Sequence, residues 1–155
     1  MPRNLLLIAA LVALPLTAAL AQNEPAGRPS PEEIVKARQA AYGLSAATFG
    51  EMKMALDAGA ELRPLAFGAR NLQRWARTLP TLFPEGSNVP PTQAKSEVWT
   101  DRAGFELRAQ AYAEATGRLA EAAQGSDRTA FAAQWDAVRA TCSGCHDHYR
   151  NTPQR

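Results

Sequence analysis

One apolar stripe near the C-terminus constrains the fold more than any other feature of this sequence. Its members are spaced 4, 3, 4, 3 and 4 residues apart: Phe131, Trp135, Val138, Cys142, Cys145 and Tyr149. Residues at these intervals share one face of an α-helix, because the helix turns once every 3.6 residues. A helix with a single apolar face buries it against other elements. The stripe therefore predicts the inward face of one helix in a helical bundle.

Two helices are predicted in the first half of the chain. Residues 30–33, Ser-Pro-Glu-Glu, have the sequence of a capping box with proline at the first helical position, and Gly59 ends the apolar run that follows. Arg63-Pro64 opens the second helix, which must stop before Pro80 because a proline disfavours helix in the residue preceding it. Residues 80–93 contain four prolines and are predicted to form a surface connection.

The third and fourth helices complete the pattern. The third is predicted over about residues 95–124 with Gly125 as its C-terminal cap, and Ser126 or Asp127 caps the fourth. Alanine dominates the apolar residues and aromatic residues make up only 7%, which favours helices over sheets. An all-α four-helix bundle is the natural packing of four amphipathic helices. Three helices in another packing are the alternative if the second helix is short.

The first residues have the pattern of an export signal. Arg3 is followed by an apolar run from Leu5 to Leu16, and Ala19-Leu20-Ala21 matches a signal-peptidase site. A membrane anchor is the alternative, but the run is short for a membrane span and lacks flanking basic residues on its far side. The sequence predicts a signal peptide at residues 1–21, cleaved after Ala21, and one exported, periplasmic domain at residues 22–155 that no longer contacts the membrane.

The pattern Cys142-Ser143-Gly144-Cys145-His146 is that of covalent attachment of a c-type haem. Each thiol adds to one vinyl group, and the imidazole of the next residue reaches the iron from the same side. On a helix the two cysteines and His146 share one face, which is also the apolar stripe. The sequence therefore predicts one covalent haem c per chain inside the bundle, with His146 as the axial ligand of the iron.

The two cysteines have three other interpretations. A redox-active dithiol usually opens a helix, where the helix N-terminus lowers the thiol pKa, but this pair lies near a helix end. Zinc could use Cys142, Cys145, His146 and His148, although structural zinc sites normally join two separated ligand pairs. A structural disulfide would account neither for the adjacent histidine nor for the inward position of the pair.

The second axial position of the iron is predicted to lack a strong protein ligand. His148 lies two residues after His146 and so points to a different face of the helix. In an antiparallel bundle, His146 lies at the depth of Tyr42 on the first helix. Met52 is ten residues further, about 15 Å along that helix. Five-coordinate iron is therefore expected, with Tyr42 in the distal pocket.

Charged and polar residues near the predicted haem have two interpretations each. Arg38 falls on the apolar stripe of the first helix, where a haem propionate would pair it, with Gln39 as a second donor; the alternative is that Arg38 reaches solvent. Arg150, four residues after His146, could act on the proximal side or be a solvated terminal arginine. The three tryptophans, Trp75, Trp99 and Trp135, are interpreted as core residues.

In these residues the chain resembles the cytochrome c′ family. Residues 38–42 look like the haem-contact segment of its first helix, residues 79–86 like the loop after its second helix, residues 97–99 like the start of its third, and residues 142–150 like its C-terminal signature. The family is a standard example of an antiparallel up-down-up-down four-helix bundle, so that topology follows from the resemblance.

The resemblance also implies a function. Cytochromes c′ carry a haem c with a histidine proximal ligand and a bulky, non-coordinating residue on the distal side, the position that Tyr42 occupies here. They bind nitric oxide and carbon monoxide and are associated with electron transfer or protection from nitric oxide. Dimers through the first two helices are common. Related low-spin cytochromes of the c-556 type have a methionine in place of Tyr42 and form the alternative.

Several function classes are not expected. A formal net charge of +2 is too small to indicate nucleic acid as a partner. The sequence contains no catalytic triad, phosphate loop or pair of acid–base carboxylates, so an enzyme is not expected. The expected partners are small gases and a redox protein that the sequence does not identify.

Overall fold

The computed structural model describes residues 27–151, and the predicted signal peptide at residues 1–21 lies outside them. No helix in this range is long and apolar enough to cross a membrane. A 3-10 turn covers Leu79–Leu82. The α-helices are α1 (Pro31–Asp57), α2 (Leu65–Thr78), α3 (Glu97–Thr100), α4 (Arg102–Ala122) and α5 (Arg128–Tyr149).

The predicted helix starts are confirmed for α1 and α5. The Ser30 side chain accepts a hydrogen bond from the Glu33 N–H, and the Glu33 carboxylate accepts one from the Ser30 N–H, which together form a capping box. Asp127 caps α5 by accepting from the N–H of Ala130. After α1, Gly59 adopts a φ of +73°, a left-handed conformation in which glycine carries no steric penalty.

Two predictions for the third helix are wrong. The chain breaks at Asp101, where φ is −114° and ψ is 55°, so the expected helix is divided into α3 and α4. The Asp101 side chain accepts from the N–H of Gly104 and starts α4 as an N-cap. Gly125 is not a helix cap, because α4 ends on Ala123 in a right-handed conformation whose N–H remains bonded to the last turn.

The four long helices form the predicted antiparallel bundle. Packing is extensive between α2 and α4 and between α4 and α5, whereas α1 and α5 touch at few positions. Side chains of α1 pack directly on Gly68 of α2, where an added Cβ would lie 3.0 Å from Cε of Met52. Within the described range there is no strand, only an isolated bridge between Ala94 and Arg150.

The interior is divided into two clusters, here called the lower core and the upper core. The lower core lies toward the α4–α5 turn and comprises Met52, Leu62, Ala66, Ala69, Leu72, Ala115, Leu119, Ala120, Ala123, Phe131 and Val138. The upper core lies toward the C-terminus of α5 and comprises Leu79, Phe83, Val98, Phe105, Ala109 and Tyr149. Tyr112 packs against both.

Contacts that join α1 to α5 lie mainly beside the lower core. The rings of Phe49 and Trp135 stack with centroids 4.4 Å apart and an interplanar angle of 3°. The Trp135 Nε1–H donates to the Phe49 carbonyl at 3.1 Å. Arg128 donates to the carbonyl of Leu56 in the last turn of α1 and to that of Ala60 just after the helix. The bundle is therefore fastened at its lower end, and the sides of α1 and α5 that flank the upper core are less closely joined.

Candidate functional site

The two cysteines lie where the lower and upper cores meet. Both thiols are free and half-buried. Cys142 packs against the lower core and Cys145, almost one turn later, against the upper core. His146 is exposed on the next position of α5. The predicted attachment residues thus occupy one helical turn that borders both parts of the interior.

The electrostatics of the thiols differ from those of a redox-active pair. Burial raises the pKa of Cys142, and it raises the pKa of Cys145 to about 11, with Arg108 offsetting only part of the effect. Catalytic cysteines have lowered pKa values, because the thiolate is the reactive form. The described residues also bring no three His, Cys, Asp or Glu side chains together for a metal, so the four residues of the zinc alternative are not gathered.

Tyr42 faces the same region from α1. Its ring meets Trp75 edge-on with centroids 5.1 Å apart, and it packs against the upper core, as Cys145 does. Burial raises the pKa of Tyr42 above its ordinary value, and the nearby Cys145 adds to the rise. The Tyr42 hydroxyl therefore stays protonated and neutral throughout the physiological range.

The two methionines of the described range lie away from this region. Met52 is 2% exposed and belongs to the lower core. Met54 is 65% exposed on the outer side of α1. Neither packs against the upper core, where Tyr42 and Cys145 are found.

Arg38 is the most unusual residue of the site, because its guanidinium is buried and 2% exposed. One terminal nitrogen donates to the Leu82 carbonyl at 3.2 Å and to Ser87 Oγ at 2.9 Å. The other donates to the Ser87 carbonyl at 2.9 Å and to Thr92 Oγ1 at 2.6 Å. The alternative interpretation, in which Arg38 reaches solvent, is wrong, since the 82–92 loop folds over its head group.

Among residues 27–151, no carboxylate forms an ion pair with the Arg38 guanidinium. All four of these acceptors are neutral oxygens, and the guanidinium also lies 4.3 Å from the centroid of the Phe83 ring. Burial lowers the pKa of Arg38, yet arginine remains charged at all ordinary pH values. A buried cation is costly unless an anion compensates it. The four hydrogen bonds use all the N–H groups of the two terminal nitrogens of Arg38, so only its Nε–H takes no part in them.

Gln39 on α1 and Arg150 after α5 both donate hydrogen bonds to the segment at residues 80–93. The Gln39 side chain donates to the Pro91 carbonyl at 2.9 Å. Arg150 donates to Gln93 Oε1 from two nitrogens, at 3.1 and 2.8 Å. Both side chains are exposed and lie at the upper end of the bundle.

The pKa of the His146 imidazole is lowered by two causes. The larger is desolvation by the protein atoms around this exposed side chain, and the second is the nearby positive charge of Arg150.

Sequence reasoning missed a contact that fixes the end of α5. The Tyr149 hydroxyl donates to Asp101 Oδ2 at 2.6 Å, and Tyr149 is 7% exposed. An added Cβ at Gly104 would lie 2.6 Å from this hydroxyl, so the pair needs glycine there. The signal for it was the Asp101 cap, which a continuous helix prediction concealed. Asp101 thus links the start of α4 to the last turn of α5. Its partner in that turn, Tyr149, lies three residues after His146.

The residues around Cys145 fit a flat, largely apolar group with acidic substituents. Two unbonded thiols lie at the boundary of the two cores, and aromatic rings of Tyr42, Trp75 and Tyr112 pack nearby. The buried Arg38 cation lacks a carboxylate partner. The Trp75 Nε1–H is also buried and has no acceptor among the described residues. A covalently bound haem has the apolar ring and the carboxylates that these residues require.

A groove of about 540 Å³ lies elsewhere, between α2 and α4 on the outside of the bundle. Its lining is drawn from α2, Pro80 and α4, and it includes neither cysteine nor His146. It is therefore separate from the site on α5.

Comparison with known proteins identifies one family. The model of the family described as Cytochrome C′ matches residues 33–150. The cytochrome c′ of Alcaligenes xylosoxydans xylosoxydans is 33% identical over 125 residues, which cover 77% of this chain and 94% of the relative.

Solved structures agree with the sequence comparisons. A ferrous variant of cytochrome c prime from Alcaligenes xylosoxidans with bound nitric oxide is 28% identical, with a TM-score of 0.74 over 81% of this chain and 99% of that chain. Another variant of that protein was solved with carbon monoxide. A cytochrome c′ described as having a ligand-controlled dimer dissociation is 26% identical, with a TM-score of 0.76 over 81% of this chain and 100% of that chain.

We expect Tyr149→Phe to lower the free energy of unfolding by about 1 to 2 kcal/mol at pH 7, because it removes a buried hydrogen bond to a carboxylate and little else. That bond raises the pKa of Tyr149 to about 12. The hydroxyl therefore stabilises the fold fully below its unfolded pKa of about 10 and loses this contribution as the pH rises toward 12. Urea unfolding of both proteins at pH 7 to 11.5 measures this. A difference that stays constant through the alkaline range would contradict it.

Proposed function

The chain belongs to the cytochrome c′ family, whose members bind c-type haem covalently, and from this premise we propose that it is an exported, periplasmic haem protein that binds small gases. The observation that carries the proposal is the composition of the region beside Cys145. Tyr42 packs there, whereas Met52 lies in the lower core and Met54 faces outward. Binding, and not catalysis, is the proposed role.

On the proximal side, Cys142 and Cys145 would hold the haem and His146 would bind its iron. Each thiol would add across one vinyl group, its sulfur bonding to one carbon and its hydrogen passing to the other. The bound haem supplies an iron with a position for a further ligand and a one-electron couple. The contact between Tyr149 and Asp101 supports this role, because it fixes the backbone of the turn that carries His146.

On the distal side, Tyr42 would restrict the space in front of the iron without binding it. Its raised pKa supports this, because the phenolate that could bind iron is strongly disfavoured. A small neutral gas can enter such a pocket, whereas a larger ligand meets the ring. The nitric oxide and carbon monoxide complexes of the Alcaligenes xylosoxidans relative support the same assignment.

The low-spin alternative requires a sixth ligand from the protein. In c-556-type cytochromes the ligand is a methionine, and the positions of Met52 and Met54 disfavour it here. Electron transfer by five-coordinate haem remains the second candidate function. It is favoured by the exposure of residues 146–148, because this part of α5 would bring an edge of the haem close to the surface.

Arg38, Gln39 and Arg150 would act around the haem without binding iron. Arg38 would compensate a propionate through its remaining Nε–H and its charge, Gln39 would be a second donor on the propionate side, and Arg150 would lie on the proximal side. Copies of the chain would pair through α1 and α2, where the exposed apolar side chains are Leu44, Met54 and Phe67. Sedimentation of the loaded protein tests that pairing.

We expect the purified exported chain to gain the mass of one haem and to show high-spin, five-coordinate ferric and ferrous spectra, because Tyr42 packs beside the upper core with Cys145, whereas Met52 and Met54 do not. Nitric oxide and carbon monoxide should both change the ferrous spectrum. Mass spectrometry, absorption and EPR with and without the gases measure this. Cys142→Ser with Cys145→Ser is the control, which should abolish the covalent mass increase. A low-spin spectrum with a methionine–iron band would overturn the gas-binding function.

We expect Tyr42→Ala to raise the affinity for carbon monoxide by about five- to hundredfold, because relieving steric crowding is worth about 1 to 3 kcal/mol. Titration of the ferrous protein with carbon monoxide measures the affinity. Tyr42→Phe is the matched control, since it keeps the ring and should leave the affinity within about twofold of the unchanged protein. Equal affinities in all three proteins would show that Tyr42 does not crowd the iron.

We expect Arg38→Ala to lower the reduction potential, because a buried positive charge beside a propionate disfavours the more positive ferric state. Spectroelectrochemical titration measures the shift. The control is Arg38→Lys, which disturbs the same hydrogen bonds to the loop but keeps the positive charge. If both variants shift the potential equally, the effect comes from the loop and not from the charge of Arg38.

A further inference from the structure

The three tryptophans of the chain differ in how their indole N–H groups are satisfied. Trp99 donates to the Pro84 carbonyl at 2.9 Å, and Trp135 donates to the Phe49 carbonyl at 3.1 Å. The Nε1–H of Trp75 is fully buried and has no hydrogen-bond partner in the described part of the chain. Buried donors are almost always paired, because burying one without an acceptor is unfavourable. Trp75 therefore needs an acceptor that the polypeptide around it does not provide.

The position of Trp75 indicates where that acceptor would lie. Its ring meets Tyr42 edge-on at 5.1 Å, and both rings pack against the upper core, as Cys145 does. Trp75 lies on α2, so this indole borders the proposed haem pocket from a third helix, beside α1 and α5. Phenylalanine or leucine would fill an apolar wall equally well without adding a buried donor. The polar atom of Trp75 thus calls for an explanation beyond packing.

We propose that the Trp75 Nε1–H donates a hydrogen bond to an oxygen atom that enters the pocket with the haem. This proposal rests on the proposed function, because it takes the haem to lie beside Cys145. Two oxygens have the required chemistry: a carboxylate oxygen of the haem and the oxygen of a gas bound to the iron. In either case a neutral N–H stabilises negative charge on the acceptor without adding a charge of its own.

The two sources of the oxygen predict different consequences. If the acceptor is a haem carboxylate, Trp75 holds its negative charge in place and affects the potential of the iron with no gas present. If the acceptor is the oxygen of the bound gas, Trp75 affects only the liganded state. Trp75 is then a residue that determines ligand specificity together with Tyr42.

The test compares the haem-loaded protein with Trp75→Phe and, as the matched control, Trp99→Phe, whose indole N–H already has a carbonyl partner. The first arm measures the reduction potential as a function of pH without gas. The second measures carbon monoxide affinity and the C–O stretching frequency in the ferrous complex. If the acceptor is a haem carboxylate, Trp75→Phe has a lower reduction potential, and the pH at which the potential changes moves to a higher value. A gas acceptor weakens carbon monoxide binding about fivefold, the value of one neutral hydrogen bond, and raises the stretching frequency.

The proposal is overturned if Trp75→Phe matches the unchanged protein in both arms while haem attachment and gas binding are normal. Failure of the unchanged protein to bind haem or carbon monoxide would instead overturn the proposed function. Should Trp75→Phe not fold, the indole N–H of Trp75 in the diamagnetic carbon monoxide complex decides by NMR. A chemical shift and slow exchange typical of a hydrogen-bonded indole support the proposal, and an unbonded shift overturns it.

Discussion

The structure of the upper end of the bundle depends on one buried cation. The Arg38 guanidinium reaches Leu82, Ser87 and Thr92, which are 44 to 54 residues away in sequence, and draws the 82–92 loop over the end of α1. Without that anchor, a segment with several prolines has little regular structure to hold it. The loop in turn places Phe83 in the upper core, where it meets Phe105. Arg38 therefore ties the loop to the part of α1 that carries Tyr42, while Trp99 and Arg102 hold the carbonyls of Pro84 and Phe83 from the other side of the loop.

The two cores differ in how the polar groups buried beside them are paired. The lower core is closed by apolar packing, the stacked rings of Phe49 and Trp135 and a satisfied indole N–H. Beside the upper core, among the described residues, lie the Arg38 cation without a carboxylate partner and the Trp75 indole N–H without an acceptor. Folded chains rarely leave such groups unpaired, and exceptions concentrate at functional sites. Gln134 Oε1, on α5 beside the lower core, is also buried without a donor among the described residues, but the unpaired donor and the buried cation both lie at the end of the bundle that carries the two thiols.

Most of the fold was predictable because its helices have long apolar periods and strong caps, as at Ser30 and Asp127. The break at Asp101 was not, since Val98 and Phe105 keep the seven-residue period across it and both are buried. Periodicity cannot detect a helix that stops and restarts in register. The environment of Arg38 was also unpredictable from local sequence, because its partners come from a distant loop. The attachment motif itself could be read directly, since its geometry is set within one helical turn.

The end of α5 shows how a short motif becomes a rigid site. The last turn is held from outside the helix by Tyr149 on Asp101, by the Lys95 N–H on the Tyr149 carbonyl and by Arg150 on Gln93. These contacts come from the segment that precedes α3 and from the residue that caps α4, so rotation of the turn would break several of them together. A helix end normally frays, because its final carbonyls lack partners. Here these contacts hold the backbone and leave the His146 side chain exposed. An axial ligand of a haem that is also held by Cys142 and Cys145 needs such a fixed backbone position and an unobstructed side chain.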